Sequence, residues 1–227
     1  MPRDIKFDLP EKLFLKDPQN SKFGQKLLKH TIVLMHELGF ERFTFRKLAV
    51  AMSSAEVSIY RYFENKHLLL LYLNSWYWEW VHYLIDFHTV NITDPRRKVR
   101  KVLHCIIFAA HEQDGHGFED QKFLQEIMIQ ESSKSYHIRD VDKENKDGLF
   151  ISYKLMVNKI ADIMREVNPT FEYPRTLSST VFEMVNNQIY YAEHLPRLTD
   201  LKNQDSKLQT LEVIVNKFVF ASLDATD

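Results

Sequence analysis

Apolar residues recur three and four positions apart along most of this 227-residue chain, which is the spacing of one buried face of a helix. The first such stripe, residues 23–38, ends at Gly39, a residue type that readily adopts a left-handed conformation after a helix. Residues 1–21 are polar and interrupted by Pro10 and Pro18, so they are predicted to form an arm or a short irregular lead-in. Later stripes predict helices over 66–89, from Pro95 to about Gly115, and over 120–132, 143–167, 174–195 and 205–223. The pattern predicts an all-α fold.

Two short helices separated by a polar turn are predicted between residues 44 and 65. Thr44 can cap the first by accepting a hydrogen bond from a free backbone N–H, and Ser53 and Ser54 interrupt it. The second covers 55–63, and Asn65 caps the next, almost wholly apolar helix, which is expected to be buried on several sides. The expected buried face of the first helix is Phe45, Leu48, Ala49 and Met52, and the apolar positions of the second are Val57, Ile59, Tyr60 and Phe63. This layout is typical of a helix-turn-helix.

The segments 39–49 and 57–69 resemble the N-terminal domain of the tetracycline-repressor (TetR) family. Gly39-Phe40 with Thr44, the pair Leu48-Ala49 and the run 60–66 carry the resemblance. It implies an arm (1–21), a three-helix helix-turn-helix DNA-binding domain (22–67) and a larger helical ligand-binding and dimerisation domain (68–227). It further implies a ligand-responsive transcriptional regulator, a repressor that binds an inverted-repeat operator in double-stranded DNA as a homodimer, and not an enzyme.

The chain departs from that family in the turn and at the start of the second short helix. Ser53 stands where the family usually has Gly, so it must adopt the turn conformation at some cost. Val57 stands where a small residue is usual. Glu56 can accept from cytosine N4, or it can stabilise the helix start and avoid DNA. These departures leave an alternative open, namely a helical ligand-binding or scaffold protein whose head has lost DNA binding.

Candidate DNA-binding residues lie in and beside the two short helices. Residues expected at base edges are Ser54, Ala55, Glu56, Ser58 and Arg61, and those expected to reach or attract phosphate are Thr44, Arg46, Lys47, Tyr60, Tyr62 and Lys66. For Arg46 and Lys47 an ordinary solvated face is an equal alternative, and Tyr60 can also pack partly in the core.

Aromatic and histidine side chains predict a small-molecule cavity in the larger domain. The candidate ligand-binding residues are Trp76, Trp80 and Tyr83 on one helix and His104, Phe108 and His111 on the next. We expect a cavity of roughly 300–1,000 Å³ beside them for an unknown effector, with ordinary core packing as the alternative. The two histidines lack neighbouring carboxylates in the sequence, so neither a metal site nor a cofactor is predicted.

The last two helices are predicted to form the dimer interface. Each has an apolar stripe and a second apolar flank, which a helix at the edge of a monomer does not need. The stripes are Leu177, Val181, Met184, Val185, Gln188 and Ala192, then Leu208, Leu211, Val215, Phe218 and Val219; the flanks are Phe182 and Ile189, then Ile214 and Phe220. Two helices from each chain would make a four-helix interface. The alternative is that both flanks are buried within one chain.

Composition adds a charge asymmetry and excludes several classes. Residues 1–67 contain 12 Lys and Arg against 8 Asp and Glu, whereas the rest contains 18 against 23, which fits a head that meets phosphate. One cysteine excludes an intrachain disulfide and any multi-cysteine metal site. No secretory signal, membrane span or common enzyme motif is visible, so we expect a cytoplasmic protein.

Overall fold

The computed structural model describes residues 5–110, 121–201 and 206–225. These ranges contain helices joined by turns and irregular segments, and no strand. The all-α prediction is therefore confirmed. The helices are α1 (Lys22–Arg42), α2 (Phe45–Ala51), α3 (Glu56–Tyr60), α4 (Lys66–Thr89), α5 (Pro95–Phe108), α6 (Gln121–Glu131), α7 (Ser133–Tyr136), α8 (Val141–Lys146), α9 (Ile151–Val167), α10 (Pro174–His194) and α11 (Lys207–Leu223), with short 3₁₀ turns at Glu11–Leu13, Pro18–Asn20 and Pro196–Leu198. In these ranges no helix has the length and apolar character needed to cross a membrane.

The chain divides into two compact units whose boundary lies inside α4. The first unit comprises 1–79 and 113–152, and the second comprises 80–112 and 153–227. In the first unit α6 packs along α1, so the helix-turn-helix region is grouped with α6, α7 and α8. These units differ from the predicted boundaries at 22 and 68, and the predicted functional division stays a prediction.

The segment before α1 is packed into the first unit and, apart from the two 3₁₀ turns, its described residues are irregular, while its predicted role as an arm stays a prediction. Leu13 is completely buried, and the Leu15 N–H donates to the Tyr62 carbonyl at 2.8 Å. The Phe7 ring meets Trp76 edge-on, with ring centres 5.1 Å apart. Apolar residues among the polar ones therefore cover part of α4 and the end of α3.

Helix caps lie where the sequence predicts them. Thr44 accepts from the Lys47 N–H at 3.2 Å, and Asn65 accepts from the Leu68 N–H at 2.9 Å. Asp94 accepts from the Arg97 N–H at 2.6 Å at the start of α5. Each of these side chains satisfies a backbone donor that has no partner within its helix.

Helix ends depart from the predictions at glycines. α1 continues to Arg42, but its geometry breaks at Gly39, where φ is 72°. The helix predicted over 143–167 is two helices, because the chain turns between α8 and α9 at Gly148, where φ is 84°. α5 ends at Phe108, and the predicted end near Gly115 lies outside the described residues.

α4 is the apolar centre of the first unit. Every residue from Leu69 to Trp78 is buried, as its nearly uniform apolar sequence predicts. In the second unit α11 packs against α10 and α5, and Leu211, Val215 and Val219 are completely buried.

Candidate nucleic-acid interface and effector region

A strained residue makes the turn between α2 and α3. Ser53 has φ 52°, the left-handed region that favours glycine, and it is the one non-glycine residue with positive φ in the described ranges. Ser53 therefore adopts the turn conformation at the position where the TetR family usually has glycine. Lys26 donates to the Met52 carbonyl at 3.1 Å and so caps the end of α2. The sequence reasoning missed this lysine, because its partner lies 26 residues away.

The two short helices pack against each other, and we call their larger exposed side chains the reading surface. Its members are Arg46, Lys47, Val50, Val57, Tyr60 and Arg61. Arg46 and Arg61 form no ion pair within the described part of the chain, so both guanidinium groups remain available to an anion or a base edge. A shallow cavity of about 400 Å³ is lined by Thr44, Arg46, Lys47 and Val50.

Other predicted DNA contacts are arranged around α3. Ala55 is exposed and precedes the helix without a side-chain cap, while Ser54, Glu56 and Ser58 are half-buried. Thr44 accepts the capping hydrogen bond, so its O–H can still donate to a phosphate. Tyr60 is 46% exposed while its ring packs edge-on against Phe45, so it packs partly in the core and its phosphate contact stays a prediction.

Tyr62 is a correction to the predicted phosphate contacts. Its side chain is buried, and its hydroxyl lies 2.8 Å from the Ser21 Oγ. Ser21 also caps α1, so the pair ties α1 to the end of α3. Tyr62 therefore contributes to the core of the head.

Lys66 is a second correction. Its Nζ donates to the carbonyl oxygens of Phe40 at 2.9 Å, Glu41 at 3.2 Å and Phe43 at 3.4 Å. The same nitrogen lies 4.5 Å from the centre of the Phe40 ring. Its donors thus hold the segment between α1 and α2, which leaves no reason to assign it to phosphate.

Val57, one of the apolar positions of the second short helix, is 61% exposed. On a helix, two positions separate it by about 200° from the buried Ile59. That spacing is visible in the sequence and could have placed Val57 on the reading surface. An exposed valine beside Arg61 offers apolar contact to a thymine methyl group.

The predicted effector residues are all buried or half-buried where the structure describes them. Trp76 belongs to the first unit, where it packs on Phe7. In the second unit Trp80 stacks on Tyr83 with ring centres 5.7 Å apart, and the Trp80 indole N–H donates to the Ala109 carbonyl at 3.1 Å. His111 lies outside the described residues.

His104 has a carboxylate neighbour that the sequence did not reveal. Its Nδ1 lies 3.0 Å from Glu212 Oε1, and its ring stacks on Phe108 at 4.5 Å. Glu212 comes from α11, more than 100 residues later, so local sequence could not place it. Within the described ranges no three histidine, cysteine or acidic side chains come together as metal ligands.

One cavity in the second unit lies away from these residues. It has a volume of about 690 Å³ at the start of α10 and the end of α11. Its walls are formed by Asn168, Thr170, Phe171, Glu172, Tyr173, Thr176, Leu177, Thr180, Ser222 and Ala225. None of the predicted ligand-binding residues lines it, so they stay a prediction.

Solved structures share this arrangement of helices, although no protein-family model and no curated protein matches the sequence. AibR in complex with isovaleryl coenzyme A and operator DNA has a TM-score of 0.59 and 14% identity, over 85% of this chain and 96% of AibR. A TetR-family regulator from Shewanella sp. PV-4 has a TM-score of 0.59 and 14% identity, over 86% and 96%. The chain has the TetR-type fold.

Two further solved structures with similar helix arrangements carry different functional names. FadR, a fatty acid degradation regulator from Bacillus halodurans, has a TM-score of 0.58 and 17% identity, over 91% of this chain and all of FadR. The superantigen PfiT has a TM-score of 0.56 and 17% identity, over 91% and 97%. At these identities the likeness establishes the fold alone.

Proposed function

We propose that this chain is a ligand-responsive transcriptional regulator that binds double-stranded DNA through the reading surface. The proposal is carried by Arg46 and Arg61 on the short helix pair, which are exposed and form no ion pair with any residue that the structure describes. The TetR-type fold supports it, because regulators with this fold include one solved with operator DNA.

Each part of the reading surface suits one class of DNA contact. α3 is narrow enough to enter the major groove, which is about 12 Å wide. The Arg61 fork matches the O6 and N7 atoms of guanine, and Val57 matches a thymine methyl group. Arg46, Lys47 and the Thr44 hydroxyl suit phosphates.

The proposed regulator is a homodimer through α10 and α11, but with fewer interface residues than the sequence suggested. Most residues of the two stripes and flanks are buried within the chain itself, including Val185 and Val215. Phe218 is 58% exposed, and Met184 and Ile214 are half-buried, so an apolar surface remains for a second copy. Two-fold symmetry would fit a repressor acting on an inverted-repeat operator.

An effector would act on the spacing of the two heads. The region around Trp80, Tyr83, His104 and Phe108 supplies the aromatic faces and the polar group that small-molecule sites use. In a cytoplasmic repressor, a ligand that favours a head spacing mismatched to the operator would weaken DNA binding and relieve repression of the gene.

The second candidate is a helical ligand-binding or scaffold protein whose head has lost DNA binding. Glu56 favours it, because this carboxylate lies at the start of α3, where it would repel phosphate. The superantigen PfiT shares the fold without being named a regulator.

Selection of bound duplexes from random DNA tests the proposal. We expect an enriched site with two inverted halves, and Arg61→Ala should cost about 1–3 kcal/mol on that site and relax one position. The matched control is Arg197→Ala, which removes an exposed arginine outside the head and should leave affinity unchanged. No enriched site, or equal losses in both variants, would favour the second candidate.

A further inference from the structure

Glu131 is a buried carboxylate at the last residue of α6. Its side chain is 9% exposed, and it lies on the apolar stripe of α6, in register with Leu124 and Met128. Burying a charge costs several kcal/mol unless the charge is paired and hydrogen-bonded. A carboxylate in this position therefore needs specific partners.

One partner, Phe40, lies where α1 leads into the helix-turn-helix, and the other, Lys134, lies in α7 directly after α6. Glu131 Oε1 accepts from the Phe40 N–H at 3.0 Å, and Oε2 pairs with Lys134 Nζ at 2.7 Å. Lys134 also pairs with Glu41 at 3.2 Å. Burial lowers the pKa of Lys134, but hydrogen bonding to Glu131 and the charges of Glu131 and Glu41 together raise it above its ordinary value.

Gly39 makes this contact geometrically accessible. Its φ of 72° breaks α1 just before Phe40. A Cβ built at Gly39 would lie 3.3 Å from Glu131 Oε1, closer than most Cβ contacts, so a side chain there would crowd the carboxylate. The conformation and the space at this position thus both favour glycine.

The segment 39–44, which we call the junction, is held from two sides. From α6, Glu131 accepts a hydrogen bond from the Phe40 N–H. From α4, Lys66 donates hydrogen bonds to the carbonyl groups of Phe40, Glu41 and Phe43. The junction ends at Thr44, the cap of α2, so its position determines where α2 begins.

We propose that Glu131 is a positioning residue for the DNA-reading head, fixing the start of α2 from α6 through one buried carboxylate. The role in DNA binding rests on the proposed function, whereas the hold on the junction does not. A displacement of α6 that lengthens the Phe40 hydrogen bond removes the α6 side of this hold and leaves only Lys66, so the state of α6 reaches the reading surface through this contact.

Amide hydrogen exchange on the full-length chain tests the hold on the junction. Glu131→Ala should speed exchange of the Phe40 amide roughly tenfold or more, because a charge-assisted hydrogen bond is lost. Amides in the middle of α1, such as Met35, should keep their rates. Glu131→Gln keeps an acceptor for Phe40 and should give a smaller increase, which covers the case in which the alanine variant fails to fold.

Glu126→Gln is the matched control, because Glu126 joins α6 to α1 through His36 at 2.5 Å without touching the junction. It should leave Phe40 exchange at the wild-type rate. An unchanged Phe40 rate in both Glu131 variants, or the same increase in the Glu126 variant, would overturn the proposal.

Affinity for the selected duplex separates this inference from the proposed function. Glu131→Gln should weaken binding roughly fivefold or more, with an unchanged salt slope because no phosphate contact is lost. Glu126→Gln should bind like wild type. A wild-type chain that binds no duplex refutes the proposed function and leaves the exchange result to decide the hold on the junction. A wild-type chain that binds while the two variants behave alike refutes the positioning role.

Discussion

At the scale of single residues, two positions in the head determine the course of the backbone around the short helices. Ser53 carries the turn between α2 and α3 at φ 52°, and Lys66 donates to three carbonyl groups of the junction. Both contribute to the shape of the head without belonging to the reading surface, and each makes a measurable prediction.

Ser53→Gly should raise the free energy of unfolding by about 0.5–1 kcal/mol, because glycine adopts positive φ without the steric cost that a Cβ brings. Ala51→Gly is the control, since Ala51 is exposed in α2 and glycine there should lower the same quantity by about 0.5–1 kcal/mol. Urea unfolding of both variants measures the signs. Destabilisation by both substitutions would contradict the assigned strain.

Lys66→Met should lower the free energy of unfolding by about 1–3 kcal/mol, because it leaves carbonyl groups of the junction without their donor. The slope of log affinity against log salt should not change. Arg46→Met should do the reverse, with stability within about 0.5 kcal/mol of wild type and a slope smaller by about one, because Arg46 is exposed. A smaller slope for Lys66→Met would restore the phosphate role that the sequence suggested.

At the scale of helices, the sequence predicted features that depend on neighbours along the chain. Thr44, Asn65 and Asp94 cap helices as expected, because a cap involves residues only three positions apart. Tyr62 was misassigned because its partner Ser21 lies 41 residues earlier, in a segment that was expected to be irregular. Burial by distant segments leaves no periodic signal in the helix that is covered.

In the candidate site, too, local features were predictable from the sequence and distant contacts were not. Arg46 and Arg61 are exposed as expected, because their spacing from buried residues within one short helix is a local property. Glu131 escaped notice, although its place on an apolar stripe was a usable signal of a buried carboxylate. Its partner at Phe40 could be identified only from the fold.

The clamp between the start of α5 and the end of α11 predicts a pH dependence. Arg96 makes two hydrogen bonds to the Asp224 carboxylate, at 2.7 and 2.8 Å, and these hold the pKa of Asp224 below its ordinary value. A depressed pKa means that the stabilisation is present above the unfolded pKa of about 4 and is lost as pH falls through the folded pKa.

Asp224→Asn should therefore lower the thermal midpoint at pH 7, and its difference from wild type should shrink as pH falls below the unfolded pKa of about 4. Asp200→Asn, at an exposed position between α10 and α11, should match wild type throughout. Thermal unfolding followed by circular dichroism from pH 7 to pH 2.5 measures this. A difference that does not shrink at the acid end would contradict the clamp.

At the scale of the whole molecule, the unburied side of α10 and α11 predicts assembly. Phe218→Asp should convert a dimer into a monomer at low micromolar concentration, because it places a charge in the apolar surface that a second copy would cover. Val90→Asp is the control, since Val90 is more exposed but lies outside these two helices. Sedimentation equilibrium distinguishes them, and a monomeric wild-type chain would remove the proposed interface.

DNA recognition by the wild-type chain is the central claim, and a binding titration tests it most directly. Affinity is measured for the selected duplex and for a scrambled duplex of equal length, from about 50 to 300 mM salt. Over this range salt weakens the phosphate contacts, which both duplexes share, so the remaining difference in affinity reports the base contacts. We predict a steep salt slope on both duplexes and an affinity at least about 10³-fold higher for the selected site. Equal affinity for the two duplexes, or no binding at the lowest salt concentration, would contradict the account.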